Sequence, residues 1–244
     1  MSRAAVHPGG QRKRRHPPSG GYARGDETRS KIVAVALDVF GDHGYDGAST
    51  RMLADQAGVN LPALQYYFDG KEGVYLACAE HIAERLEARL GPAADHVMRV
   101  LAREEPSREQ LFHMLHEFLD RFADFFLGGH ELDKWVLFIV REQAQPTGAF
   151  DIIFDRVMNP VLGACGALAG RLLVLPGDDP VVRVRAFALL GQIIFFRTAR
   201  EAALRMMGWP DFEGDRLTIV KDTLLAQIEA ALGGAGTAMA RSNS

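Results

Sequence analysis

The reading turns on residues 44–72, GYDGASTRMLADQAGVNLPALQYYFDGKE. Ser49 is a side chain that favours a helix N-cap, and Leu53 with Ala57 gives the short helix behind it an apolar stripe. Gly58-Val59-Asn60 breaks that helix. Leu61-Pro62 opens a second one, where Pro62 forfeits nothing because first-turn N–H groups have no intrahelical partner. Asp69-Gly70 ends it, and Lys71 begins a longer amphipathic helix. Two short helices joined by a glycine turn within about twenty residues have the spacing of a helix-turn-helix.

In the second short helix Leu61, Leu64 and Phe68 stand at i, i+3 and i+7 and are expected to face inward. Pro62, Ala63, Gln65 and Tyr66 then face outward. Small side chains at the start let a helix enter a major groove. Gln and Tyr exchange hydrogen bonds with base edges or phosphates.

Outward from this stretch the chain reads as helix after helix. Upstream, Ile32, Val33, Ala36, Leu37 and Phe40 share one face of a 3.6-residue period, stopped by Gly41 and Gly44. Downstream, helices are expected at 71–90, 93–103, 107–127, 131–145, 148–174, 178–207 and 214–232, with Gly91-Pro92 as a regional boundary. Pro160 should kink or divide its helix. No strand alternation, hairpin dipeptide or fixed-period repeat occurs. The expected fold is all-α: a three-helix DNA-binding domain over 27–72, and a helical-bundle effector-binding and dimerisation domain over 73–232, followed by a flexible tail at 233–244.

Composition narrows the class. With 48% hydrophobic and 24% charged residues, the 244-residue chain has the balance of a globular protein and the length for a core. Two cysteines, Cys78 and Cys165, are too few for a disulfide framework and form no C-x-x-C pair. Neither an unbroken run of about 18 apolar residues nor a secretory start is found, so a cytoplasmic protein with no membrane association is expected. The net charge of −3 is uneven: residues 1–26 hold six basic side chains against Asp26, leaving −8 on the rest. That Gly- and Pro-rich stretch is expected to be a disordered basic tail, either a DNA-touching arm or a passive leader. From Glu27 to Gly70 three basic residues face six acids, so the reading segment's own pull on DNA is weak and the tail has room to contribute.

Gly44-Tyr45, Ser49, Arg51, Leu53-Ala54, Ala57-Gly58-Val59, Leu64, Tyr66-Tyr67-Phe68 and Lys71-Glu72 together resemble the N-terminal signature of TetR-family transcriptional regulators. The resemblance implies a homodimeric all-α repressor that binds double-stranded operator DNA and releases it on binding a small effector. Carried over residue by residue, it assigns DNA contact to Ser49, Arg51, Asn60, Pro62, Ala63, Gln65, Tyr66, Tyr67 and Lys71, with Tyr67 and Lys71 on phosphates. Asn60-Leu61 and Gln65 depart from the residues usual at those positions. Further on, Arg141-Glu142-Gln143, Pro146-Thr147, Phe150, Gly191 to Arg197 and Arg200-Glu201 resemble the effector domain of the CecR-like subgroup. That resemblance implies control of transport and drug-sensitivity genes.

The helix at 178–207 carries its own message. From Ala186 to Phe196 only Gln192 is polar, so burial on every side is expected, with a partner subunit covering one face or, alternatively, as a central helix within a monomer. The stripe Leu217, Val220, Leu224, Ile228 and Leu232 is expected to join it in a four-helix homodimer interface. Phe122, Phe125, Trp135, Phe138, Phe154 and Met158 are candidates to line a pocket for a small, largely apolar effector, with Arg141, Glu142 and Arg197 as polar anchors.

No phosphate-cradling glycine loop, H-E-x-x-H or G-x-S-x-G occurs, so neither an enzyme nor a cofactor is expected. The alternative is a helical metal-binding or purely architectural protein. His113, His116 and Glu117 lie close on one helix, but the Glu-x-x-His pairs of bundle metal sites are missing. No metal site is expected.

Overall fold

The computed structural model describes residues 20–128 and 132–233, and the regular elements among them are all helical. The tail readings for residues 1–19 and beyond 233 fall outside the described residues. Residues 20–26, read from sequence as part of the basic tail, belong to the first turns of α1 (Gly20–Gly47).

α1, α2 (Thr50–Ala57) and α3 (Leu61–Phe68) build the N-terminal unit. α1 breaks at Gly44, whose φ of 72° and ψ of 178° suit glycine alone and turn the chain toward α2. Ile32, Val33, Ala36, Leu37 and Phe40 are buried and share a core with Leu53, Ala57, Leu64 and Phe68. Leu61 departs from its inward assignment: it is 42% exposed. It is the first residue of α3, and only the later positions Leu64 and Phe68 reach the core.

α4 (Lys71–Arg103) is one helix of 33 residues, about 50 Å long, reaching from the reading head deep into the bundle. The expected break at Gly91-Pro92 does not occur. Pro92 and Ala88 are both exposed, so the Ala88 carbonyl that loses its N–H partner meets water.

Beyond α4 come α5 (Arg108–Gly128), α6 (Leu132–Ala144), α7 (Gly148–Ile153), a π-turn at Phe154–Met158, α8 (Asn159–Leu173), α9 (Pro180–Thr198), α10 (Arg200–Met207) and α11 (Asp215–Gly233). Pro160 does not divide its helix. A proline ring crowds the carbonyl four residues back, here that of Arg156, and the wider π-turn takes up the strain. The helix expected over 178–207 is two, separated at Ala199.

α8 is the centre of the bundle, packed against α4, α5, α9 and α11. Its small buried residues, Ala164, Cys165, Gly166, Ala169 and Gly170, let those neighbours come close. The continuous stretch Gly148–Leu173 is long and apolar enough to cross a bilayer, a property hidden from a search for an unbroken apolar run. In this fold it is the core helix. Burial pushes the Cys165 thiol up to about 12 and raises that of Cys78, so both stay protonated and unreactive. α11 corrects a further expectation: Val220, Leu224, Ile228 and Leu232 are buried within the subunit rather than left for a partner.

α8 ends on Val174, held at φ 57° with its N–H donated to Arg171 and Gly170 carbonyls. The left-handed region costs an L residue about 1–2 kcal/mol, and this side chain, 86% exposed, has little packing to lose. Val174→Gly should therefore stabilise the protein by about 1 kcal/mol and raise Tm by roughly 2–4 °C in thermal unfolding followed by circular dichroism. A lower Tm would show that the strain is absent.

Candidate nucleic-acid interface and effector cavity

The reading head is set by its caps. Ser49 Oγ accepts the N–H of Met52 at 3.1 Å and starts α2. Gly58, at φ 65°, closes α2 while the Val59 N–H returns to the Ala54 carbonyl. Asn60 Oδ1 accepts the N–H of Ala63 at 2.8 Å, so this residue, assigned to DNA contact, is also the N-cap of α3. At the other end Gly73 lies so close to α3 that a Cβ there would fall 1.6 Å from the Phe68 carbonyl oxygen. Glycine at that position lets α3 seat directly on the first turn of α4.

Ser49, Arg51, Asn60, Pro62, Gln65 and Tyr66 are exposed, and Ala63 and Tyr67 are half-buried. Tyr66 projects furthest, at 83% exposure. Tyr67 packs edge-on against it, at 5.2 Å between ring centres, and its hydroxyl lies beside Gly25 of α1. Gln65 Nε2 donates to Asp69 Oδ1 at 2.8 Å, which engages one of its two amide donors within the helix.

Lys71 departs from its phosphate assignment. Its ammonium donates to the carbonyls of Tyr45 at 3.0 Å and Ala48 at 3.2 Å and sits 4.2 Å from the centre of the Tyr45 ring. Two of the ammonium's three donors are thereby engaged in the turn between α1 and α2. The residue ties α4 to the reading head.

Where head meets bundle, a polar network replaces the expected pocket anchors. Glu142 is 2% exposed. Its carboxylate accepts the Tyr75 hydroxyl at 2.6 Å, the Thr147 N–H at 3.0 Å and the Thr147 hydroxyl at 2.8 Å. Burial, and then the bond to Glu142, hold the Tyr75 phenol far above its ordinary pKa, so Tyr75 remains a donor. Arg141, the adjacent residue, donates to the carbonyl of Phe40 in α1. Phe138, Phe40 and Tyr45 gather around Tyr75, their ring centres 4.5–4.9 Å from its own, and Tyr45 lies under Lys71.

The cavity lies on the other side of α6. It has a volume of about 200 Å³ and runs between α4, α5, α6, α8 and α9. Of the nine candidate effector residues, Phe122, Met158 and Arg197 line it. Trp135 faces His81, Phe138 packs on Tyr75, Phe154 stacks on Phe150, and Phe125 abuts Phe126 without reaching the cavity. Helical phase explains the α6 misses. Val136, Ile139, Val140 and Gln143 form the face on the cavity, so Trp135, Phe138, Arg141 and Glu142 point away. Sequence reasoning missed that face and its counterpart on α9, Phe187, Leu190, Gly191, Ile194 and Thr198. Both are i, i+3, i+4, i+7 stripes, the only signal available in advance. The floor is apolar, including Leu86, Phe122 and Val161. Arg197, 7% exposed, Gln143 and Thr198 bring the polar groups.

Two family models match. That of the bacterial regulatory proteins of the tetR family covers residues 32–78, and that of the C-terminal domain of the HTH-type transcriptional dual regulator CecR covers 111–235. The chain is 29% identical to the CecR dual regulator of Shigella flexneri over 211 residues, 86% of this chain and 94% of the relative. The fold is similar to that of AibR, solved with isovaleryl coenzyme A and operator DNA (TM-score 0.56, 18% identity, 82% of this chain and 97% of that one). It is also similar to that of FadR from Bacillus subtilis, solved with stearoyl-CoA (TM-score 0.50, 15% identity, 82% and 96%).

The Glu142 network makes a measurable claim. Tyr75→Phe removes one donor from a buried carboxylate while leaving the ring packing in place. A hydrogen bond to a charged group contributes about 1.5–3 kcal/mol, and denaturant unfolding should show a loss of that size. A loss under about 0.5 kcal/mol, the level of a neutral surface change, would mean the carboxylate finds water instead.

Proposed function

Because the chain belongs to the TetR family of bacterial transcription regulators, with a CecR-type C-terminal domain, we propose that it is a homodimeric repressor released from its operator by a small, largely apolar effector. The family consists of DNA-binding regulators rather than enzymes. The observation that carries the DNA half is α3: capped at Asn60, seated on α4 at Gly73, and offering Pro62, Ala63, Gln65 and Tyr66 outward. Arg51 and Ser49 are proposed to meet phosphates, together with Tyr67. The cytoplasm, where the chromosome lies, is the proposed site of action. The proposed targets, transport and drug-sensitivity genes, follow from the likeness to the CecR subgroup.

The unpaired face of α9 supports the dimer. Val184, Phe187 and Phe195 are each about two-thirds exposed, while Ala186, Leu189, Leu190 and Ile193 on the opposite side are buried. A row of exposed apolar side chains on one helix is the mark of a surface that a partner covers. The occupant proposed is the same face of a second copy, about a two-fold axis.

The cavity supports the effector half. Its walls are largely hydrocarbon and its polar groups few, which suits a largely apolar molecule. AibR and FadR were each solved with an acyl-coenzyme A, which makes acyl thioesters sensible first probes. At about 200 Å³ the cavity must widen to take such a molecule, because drug-sized ligands occupy about 300–1,000 Å³.

The test is DNA binding. Fragments flanking the protein's own gene, read by fluorescence anisotropy, should show palindrome-dependent and salt-sensitive binding. Arg51→Ala should weaken all sequences alike. Tyr66→Ala should change preference at particular base pairs by about 1–3 kcal/mol. Equal effects of the two changes on every sequence would defeat the outward-face assignment.

Val184→Glu, on the same exposed face of α9 but outside the cavity lining, addresses the dimer. Two carboxylates at a covered apolar face cannot shed their water cheaply, so sedimentation should show a monomer whose operator affinity has collapsed. A dimer of unchanged stability would place the interface elsewhere.

A further inference from the structure

Arg141 reaches out of the effector domain and donates to the carbonyl of Phe40, in the last turn of α1 before the Gly44 break. Phe40 stands in the last turn before the break, where the carbonyls carry the negative end of the helix. Gly44 adjoins the contact: a Cβ built on it would lie 3.7 Å from the Arg141 guanidinium, an ordinary contact distance. A helix of the DNA-reading unit is thus capped by a cation from a different domain. The capping helix, α6, presents Val136, Ile139, Val140 and Gln143 to the cavity on its opposite side.

We propose that Arg141 is the positioning residue through which cavity occupancy reaches the reading head. The inference rests on the effector reading of the cavity. Glu142 fixes α6 to Tyr75 of α4 and to the N-cap of α7 at one point, so a molecule pressing on the cavity face is relieved by α6 pivoting about that point. Pivoting draws the Arg141 guanidinium away from Phe40. The end of α1 then loses its cap, and the turn from Gly44 to Ser49, which sets where α2 begins, loosens. The route runs through a side chain adjoining the anchor, whereas a tilt of α4 would have to displace Lys71 and the close seat at Gly73.

The experiment needs no effector. A cavity-filling change on the far wall, Val161→Phe, serves as the built-in occupant, and Arg141→Met removes the donor while keeping the aliphatic stem. Operator affinity and amide exchange are measured on both single variants, the double variant and Arg141→Lys, all in the full-length dimer. Each single variant should weaken operator binding by about tenfold, with faster exchange confined to residues 40–49, and the double variant should be no weaker than either. Arg141→Lys, which keeps one donor to the carbonyl, should recover most of the affinity. Losses that multiply in the double variant overturn the proposal, as does an Arg141→Met protein that binds operator like the wild type. If Val161→Phe folds, fills the cavity and leaves both DNA binding and exchange unchanged, the effector reading itself fails, and the proposal with it. If Val161→Phe does not fold, Met158→Phe takes its place from the same wall.

Discussion

A carboxylate out of reach of water fixes where the reading head meets the bundle. Burying a charge costs several kcal/mol unless hydrogen bonds replace its hydration. Glu142 recovers that cost only while three donors stay in place: Tyr75 from α4 and both groups of Thr147 from the cap of α7. Three helices are therefore locked in register at one point. From that register follow the phase of α6, the side of it that faces the cavity, and the reach of Arg141 to α1. A hydrophobic contact at the same place would tolerate sliding, whereas a half-satisfied carboxylate does not.

The N-terminal unit was legible because it is built from local chemistry. Caps, glycine turns and the inward pair Leu64 and Phe68 act within a few residues, and each leaves a mark in the sequence at its own position. The limits of that reading were long-range. Nothing near Lys71 in the chain announces that its ammonium will be spent on carbonyls some two dozen residues upstream. Arg141 and Glu142 attract attention as charges in an apolar helix, which is correct, and suggest a ligand, which the geometry redirects to the domain junction. Distinguishing a buried charge that serves a pocket from one that serves packing requires the phase of the helix against its neighbours. α11 teaches the same lesson: its apolar stripe is real, but the sequence does not say whether α5, α8 and α9 or a partner subunit covers it.

Proline was the other source of error. Pro92 sits on an exposed face, where water accepts the orphaned carbonyl and α4 continues unbroken. Pro160 is exposed as well, but there the backbone widens into a π-turn on the cavity wall, which contributes Val157 and Met158 to the lining. The continuity of α4 matters most for function, since one rigid rod then carries Lys71 and Gly73 at the head and Leu86 and Leu90 at the cavity.

The size of the cavity constrains how such a regulator can respond. A space of about 200 Å³ is smaller than that of drug-sized ligand sites, so on the proposed effector reading the cavity must open before such a molecule enters. Any effector's apparent affinity is then reduced by the fraction of molecules already open. If effector and operator favour different shapes, as proposed, operator DNA must lower effector affinity by the same factor through which the effector lowers affinity for DNA. Typical couplings of about 1–3 kcal/mol correspond to changes of roughly 5–150-fold. A single charge-assisted hydrogen bond at a helix end lies in the same range. On the proposed route, the Arg141–Phe40 contact is of the size that such a coupling requires.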